Sequence, residues 1–588
     1  MQAEASACGR GPTGASPGEE SRSGQGHPTW NVPPPGQVLL EPPGRQWAAW
    51  LSRSVEAESR WEVCVGGWPL WRLRRQARRE AWQVGWAAAQ RYRWPVPAGH
   101  GEAGPPDGVC WVVTGHQPLW VHPGVWAKHA LVDVAGELVP GCVGVNVVVD
   151  HDTASGFGAW VPWRRPSGEL DRRFLPLVWL RFGEPFSQVP VPPAETLSGF
   201  AEAVREALGT LGQPGRNLAE RFEAFWEQAW RQRQDSRHLA EWVTASRHAW
   251  EQQGARPARY LEVPMEQLAG GQAFLRFFAH LALDGRRFAR VYNEQLQLYR
   301  QEHRIRGRAN PFPELDLSET TVELPFWVVQ PGRPRRALYS RPERDGLRLW
   351  TADGELARVP VAPPSAGQEV DDGRASALVE FVQGQSWQVR PRAVALTMFL
   401  RLAVADLFVH GIGGARYDRL TDAIVRQYLG VQPPAYGVCS ATMLLNLPAP
   451  AVAAPPGQWR HRLHELRFNP QRFVDRLDPR SPQVAQARDL ARQKMELVSA
   501  IQQPGAARRE LTRRIETVNR LLRDLLDGYA EHVEACLRQS LRAQAERQAA
   551  EFREYPFFFY ERDEVWRAVR AALESPRDAR EPCRPPTR

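Results

Sequence analysis

Lysine is nearly missing from this chain. Lys128 and Lys494 are the only two among 75 basic residues, so the formal charge of +9 is carried almost wholly by arginine. With abundant Ala, Gly, Pro and Trp, that bias reads as a GC-rich coding sequence. Arginines and carboxylates alternate along the stretches with helical periodicity, which describes solvated, ion-paired faces. A polyanion surface needs clustered charge, so the balance argues against nucleic acid as a partner. No Cys-x-x-Cys pair occurs. The seven cysteines (Cys8, Cys64, Cys110, Cys142, Cys439, Cys536, Cys583) are scattered, which excludes the usual structural zinc site and argues for reduced thiols over a disulfide scaffold. No apolar run reaches the roughly 18 residues of a membrane span. The first thirty residues have neither the basic start nor the apolar stretch of a signal peptide. These absences point to a cytoplasmic protein without a membrane association.

What is present is ordinary globular composition, 43% hydrophobic and 24% charged, over 588 residues. Domains average roughly 100–200 residues, so three or four units are expected. Residues 1–40 are rich in Gly, Ser and Pro and read as a disordered tail. The stretch from Trp47 to Tyr92 carries Trp and Ala at helical spacing, and Pro95 to Gly108 punctuates the chain.

The clearest fold signal follows. Val109 to Val113 is a short apolar run ending in Thr-Gly, Val125 to Val139 fits a helix, and Val143 to Val149 is a second β-branched run ending in Asp-His-Asp. Strands that are apolar throughout, joined by a helix, describe a βαβ unit in a buried parallel sheet. Such crossovers are right-handed, so both strand ends open on one sheet edge. The expected fold class is α/β. A Rossmann-like parallel-sheet core is divided between residues 41–194 and 391–455. A helical insertion (195–310), a β-rich insertion (311–390), a C-terminal helical coiled coil (456–575) and a flexible tail (576–588) complete it. Residues 391–430 read as helix, Gly-rich turn, helix. Leu511, Ile515, Val518, Leu522, Leu525 and Tyr529 alternate at the spacing of a heptad seam, and Pro504-Gly505 breaks the helix before them. Such a hairpin serves either dimerisation or packing on its own chain.

In open α/β sheets ligands bind at the carboxyl ends of the strands, beside helix N-termini. Thr114-Gly115-His116-Gln117 and Asp150-His151-Asp152 occupy those positions. Thr114 and Gln117 offer hydroxyl and amide groups, and Gly115 allows close backbone approach. Asp150 and Asp152 flank His151, and either would fix its tautomer. Lys128 reaches toward a phosphate or carboxylate, and His129 is read as a helix-surface residue. His116, His122 and one of the two aspartates are a conceivable divalent-metal set, but they match no metal signature and no metal is assigned. Gly411, Gly413 and Gly414 form a tight turn in which Arg416 could grip an anion. The Gly-Lys-Ser/Thr end of a Walker loop is missing there.

Taken in order, these segments resemble the bacillithiol biosynthesis cysteine-adding enzyme family. That family has a Thr-Gly-Gln-Gln-Pro turn, a helical Lys, a Glu-Asp-His-Asp turn, a late Gly-Gly-Pro-Gly turn and a C-terminal coiled coil. The matching residues are Thr114, Gly115, Gln117, Pro118, Lys128, Asp150, His151, Asp152 and the turn Gly411 to Gly414. The sequence departs from it at His116 in place of a Gln, Val149 in place of an acidic residue, and Thr153-Ala154-Ser155 after the Asp-His-Asp. The resemblance implies a Rossmann-like core, a homodimer through the coiled coil, and a ligase that joins the cysteine carboxyl to the amine of glucosaminyl-malate. It implies His151 as base oriented by Asp150 or Asp152, with Thr114, Gly115, His116, Gln117, Lys128, Gly411, Gly413, Gly414 and Arg416 on the substrates. The carboxylate must be activated before an amine attacks it, and ATP or another adenine nucleotide is the candidate cofactor. The alternatives are a relative acting on another amine, a coiled-coil interaction protein without catalysis, and a metal-dependent hydrolase built on the histidines and aspartates of the turns.

Overall fold

The computed structural model describes residues 30–47, 49–51, 61–139, 142–307, 309–365, 367–451 and 454–575. Most of the expected N-terminal tail (1–29) and the whole C-terminal tail (576–588) lie outside the described residues.

Six strands form the central sheet: β1 (Gln37–Glu41), β2 (Cys110–His116), β3 (Cys142–Val148), β4 (Leu261–Pro264), β5 (Leu407–His410) and β6 (Tyr436–Thr442). Their spatial order is β1-β6-β5-β2-β3-β4. All neighbours run parallel except β1, which lies antiparallel on β6. The sheet is therefore mixed, in an α/β protein. β2 and β3 are buried on both faces because helices cover both, which is why their sequences are β-branched and apolar throughout. Val113, Val145 and Val147 pack beneath helix α1 (Leu70–Tyr92) through Leu73, Ala77 and Ala81. Alternate residues face the other way: Val112, Val409 and Ala441 meet Trp126, Ala130 and Leu131 of helix α2 (Pro123–Leu138).

The chain leaves β2 toward β3 and β4, then returns to build β5 and β6 on the other side. The strand order thus reverses between β2 and β5. At such a reversal the two connections diverge and leave a crevice at the carboxyl edge.

Several boundaries differ from the sequence reading. The expected disordered stretch through residue 40 includes the start of β1, whose backbone groups pair with β6 from Gln37 to Glu41. The expected helical insertion 195–310 contains β4, a four-residue strand paired to β3. Its short run between longer helical patterns gave no separate period. The Gly-rich turn follows a strand, β5, and not a helix. The apolar residues of Leu407–Val409 continue those of the preceding helical stretch, Ala393–Phe399 and the π turn Leu400–Val404, so the change of period was hidden. Outside the sheet stand a hairpin (Gly156–Arg164 with Leu170–Trp179) and a five-stranded antiparallel sheet running from Val322 to Pro391.

At the C-terminus, helices Gln483–Ile501 and Arg508–Leu525 pack side by side, and Gly505 in the turn between them takes φ +81. Leu511, Ile515, Val518, Leu522 and Leu525 lie against Ala487, Leu490 and Leu497 of the same chain. Tyr529 belongs to the next helix, Asp527–Ala550, and to another cluster with Leu466 and Val533. The end of the expected coiled-coil segment leaves the arm: Phe557, Phe558 and Phe559 and helix α5 (Arg562–Glu574) return to the central core. Trp566 Nε1 donates to Asp133 Oδ2 at 2.6 Å. Among the described residues no helix is long and apolar enough to cross a membrane.

Candidate functional site

The turn after β2 begins inside the sheet. Thr114 is fully buried, and its hydroxyl donates to the Val409 carbonyl of β5 at 2.8 Å. It ties the two strands at the reversal point, so its donor is already used. Gly115 is tightly packed: a Cβ there would lie 3.2 Å from the Val147 carbonyl, which would have to give way slightly to admit it. Lys128, buried on α2, donates to the Gly115 carbonyl at 2.9 Å. Burial pushes its ammonium down to about 8. His116 Nδ1 is 3.0 Å from the Gln117 carbonyl, an arrangement that makes Nδ1 the protonated nitrogen. Burial and then Lys128 push His116 down to about 3, so it is neutral near pH 7. His122 caps α2 by accepting from Gly124 N at 3.0 Å, and burial with Arg553 nearby pushes it down to about 3 as well.

Gln117 then crosses to the second turn, where its amide donates to Asp152. Asp152 also meets Arg335 Nη1 at 2.9 Å, and Arg335 donates to the His151 carbonyl at 2.8 Å. Burial alone would raise the Asp152 carboxyl, but Arg335 and Gln117 outweigh it and hold it below the usual range. Asp150 is buried and accepts the Glu266 backbone N–H on both oxygens, at 3.0 and 3.1 Å. His151 is buried too. Its Nε2 lies 2.9 Å from the Pro391 carbonyl, which can only accept, so Nε2 carries the proton; Nδ1 sits 3.8 Å from Asp150 and has no hydrogen bond. The three residues of this turn therefore divide. Asp150 and His151 pin the turn to Glu266 and Pro391, while half-buried Asp152 faces Gln117 and Arg335.

The glycine turn lies across β2. Gly411 and Gly413 border open space, where an added Cβ would meet nothing within 4 Å. Gly414 is different, because a Cβ there would lie 2.9 Å from His410 Nδ1. His410 faces α4 (Ile412–Leu429), with Nε2 2.8 Å from Asp418, which buried Arg401 also grips at 2.7 Å. Arg416 is exposed one turn into α4. The first two turns thus join directly through side chains, and the glycine turn follows β5, the strand beside β2.

A buried polar network below this edge was not foreseen. Glu262 of β4 takes Asn146 Nδ2 at 2.8 Å and Arg247 Nη2 at 2.5 Å. Arg247, on α3 (Leu239–Glu251), also holds Glu251 at 3.0 Å, and Glu251 accepts from Trp126 and the Tyr260 hydroxyl. Burial alone would raise Glu262, but Arg247 and His248 hold it below the usual range. His129, expected on a helix surface, is buried beside this network, where burial and then Arg247 force it well below its ordinary value. Asn146 was the available signal, one polar residue within an otherwise apolar strand, but its partner belongs to the unrecognised β4. A cavity of about 220 Å³ opens at the ends of β3 and β4, lined by Asp150, Glu262, Glu241, Thr244, His238 and Trp94. Among the described residues no group of three or more His, Cys, Asp or Glu could hold a metal ion, so His116, His122 and the aspartates do not form one. No known protein family matches the sequence, and no curated protein is significantly similar to it.

Proposed function

We propose that this chain is a ligase that joins the carboxyl group of cysteine to the amine of an amino-sugar conjugate of the glucosaminyl-malate type, in the synthesis of a bacillithiol-like thiol. The observation that carries the reading is the union of the two motif turns through Gln117 and Asp152 at the strand-order reversal of the sheet. In this reading the core is Rossmann-like and the C-terminal arm is a coiled coil.

Amide formation asks the site to hold an ammonium, to expose an activated carboxyl carbon and to stabilise the oxyanion that forms on attack. Asp152, kept ionised, suits the ammonium, and a carboxylate has lone pairs beyond those that Gln117 and Arg335 use. The uncovered Gly411–Gly413 end of α4 offers helix N-terminal N–H groups to the oxyanion. Gln117 and Arg335 orient Asp152, and His151, whose Nδ1 carries no proton, is the base that takes the ammonium proton, with Asp150 beside it as a positioning residue. An adenine nucleotide is the candidate activator of the carboxylate. A homodimer through the helical arm belongs to the same proposal, with Met495 and Leu521 exposed on it.

The test is a thiol-metabolite profile of cells with and without the gene, paired with product formation by purified wild-type and Asp152→Asn protein. Loss of a low-molecular-weight thiol on deletion, and loss of product in the variant, are expected. An unchanged thiol profile overturns the substrate assignment.

A further inference from the structure

On the opposite edge of the sheet, at the amino end of β2, lies a larger cleft that the ligase reading does not use. It measures about 520 Å³, within the range of small-molecule sites. One wall is helix α1, where Trp71, Arg75, Arg78 and Trp82 recur at steps of three and four and Arg79 lies four beyond Arg75, so all five share one face. The other wall is the loop from Ala103 to Val109. Trp82 and Trp111 are buried in the floor. The loop is set against that floor: Trp82 Nε1 donates to the Gly101 carbonyl at 3.1 Å, and a Cβ at Gly104 would meet the same indole at 3.0 Å.

Four guanidinium groups line this cleft and two carboxylates answer them. Arg74 and Arg78 both contact Asp406 Oδ1 at 2.6 Å, which fixes them at the base and leaves the trio with net positive charge. Arg75 meets Asp107 across the mouth at 2.9 Å, but both side chains are more than half exposed, at 55% and 69%. An ion pair that exposed contributes little, so an incoming anion displaces Asp107 readily. Arg79 is exposed beside it. Trp71, also 57% exposed, presents an indole at the same mouth.

We infer that this cleft binds a nucleoside phosphate, with the phosphates on Arg75 and Arg79 and the planar ring on Trp71. Guanidinium forks match phosphate oxygens, and an indole face takes any base by stacking. Asp107 occupies the anion position until the ligand arrives. The loop wall from Pro105 to Asp107 bounds the cleft, which favours a single nucleotide over a continuous strand.

The test is calorimetric titration of the full chain with ATP, with inorganic triphosphate, and with a single-stranded oligonucleotide. Wild type is expected to bind ATP. Arg75→Glu with Arg79→Glu should weaken binding by about 30-fold or more, as loss of two charge-assisted contacts implies. Trp71→Ala should weaken ATP about tenfold and leave triphosphate unchanged. Asp107→Asn should tighten both severalfold, a gain that misfolding cannot produce. No ATP binding by wild type, or binding indifferent to these variants, overturns the site. Equal ATP affinity in Trp71→Ala overturns the ring assignment. An oligonucleotide that binds more tightly than ATP through the same residues overturns the small-ligand assignment in favour of nucleic acid. Variants at Asp152 lie on the other sheet edge, so the site can fail or hold independently of the ligase reading.

Discussion

Arg335 and Asp152 meet at 2.9 Å although one lies in the loop that enters the strand Arg336–Pro342 of the five-stranded sheet and the other in the turn after β3. The guanidinium also lies 4.4 Å from the centre of the Trp327 ring, in the same sheet, and donates to the His151 carbonyl. It is the strut that sets the second motif turn against the outer sheet.

If the proposed ligation is the reaction, replacing Arg335 by Ala should therefore reduce it without unfolding the protein. A shift of about 1 Å in a positioned group can cost on the order of 100-fold in rate. Arg335→Ala is expected to lose about 10- to 100-fold in product formation, with Arg335→Lys intermediate. Wild-type turnover in Arg335→Ala would remove the strut from the mechanism.

Arg247 holds Glu262 and Glu251 inside the protein. Breaking a buried ion pair from one side typically costs about 3–5 kcal/mol, because the remaining charge stays buried. Arg247→Met should show a loss of that order in chemical denaturation, and addition of Glu262→Gln should recover part of it.

His116 and His122 tie stability to pH. Both are pushed down to about 3 in the folded chain, against about 6.5 when unfolded. Between those values the unfolded chain binds more protons, so stability is complete above about 6.5 and is lost as pH falls toward 3. Denaturation midpoints measured from pH 7 to 4 should decline, and His116→Gln with His122→Asn should flatten the decline. Lys128, pushed down to about 8, acts in the same direction at higher pH: stability should rise as pH passes from about 8 to its unfolded value of about 10.4.

Thr114→Val keeps the shape of the side chain and deletes the donor to Val409. The expected loss is about 1 kcal/mol of stability. Substrate KM should stay unchanged, since the hydroxyl is spent within the sheet. A raised KM at unchanged stability would return Thr114 to the substrate.

Phe558 stacks on Phe225 at 4.5 Å between ring centres, and the segment around it covers Trp120. Truncating a buried Phe to Ala typically costs about 3–5 kcal/mol. Phe558→Ala should lower stability by that amount, measured by denaturant unfolding, because this segment belongs to the core. An effect under about 1 kcal/mol, the scale of surface changes, would mean that it packs there only loosely.

The local pattern of this chain determined the β2–α2–β3 unit. Two β-branched runs and one helical period are signals contained within about ten residues each. The same holds for the helix break at Gly505, where one residue takes a left-handed backbone angle. The two motif turns were legible for that reason, since strand ends fix where they lie. Other features had no local cause. β4 and β5 are four-residue strands whose pairing is supplied entirely by neighbours distant in sequence. Which ring nitrogen of His151 is basic is decided by Pro391, whose carbonyl accepts the Nε2 proton and leaves Nδ1 as the unprotonated nitrogen. Glu262 looks like a surface residue until Arg247 and Asn146 close around it. A buried charge is tolerated only with its partners, and only the tertiary structure decides which partners arrive.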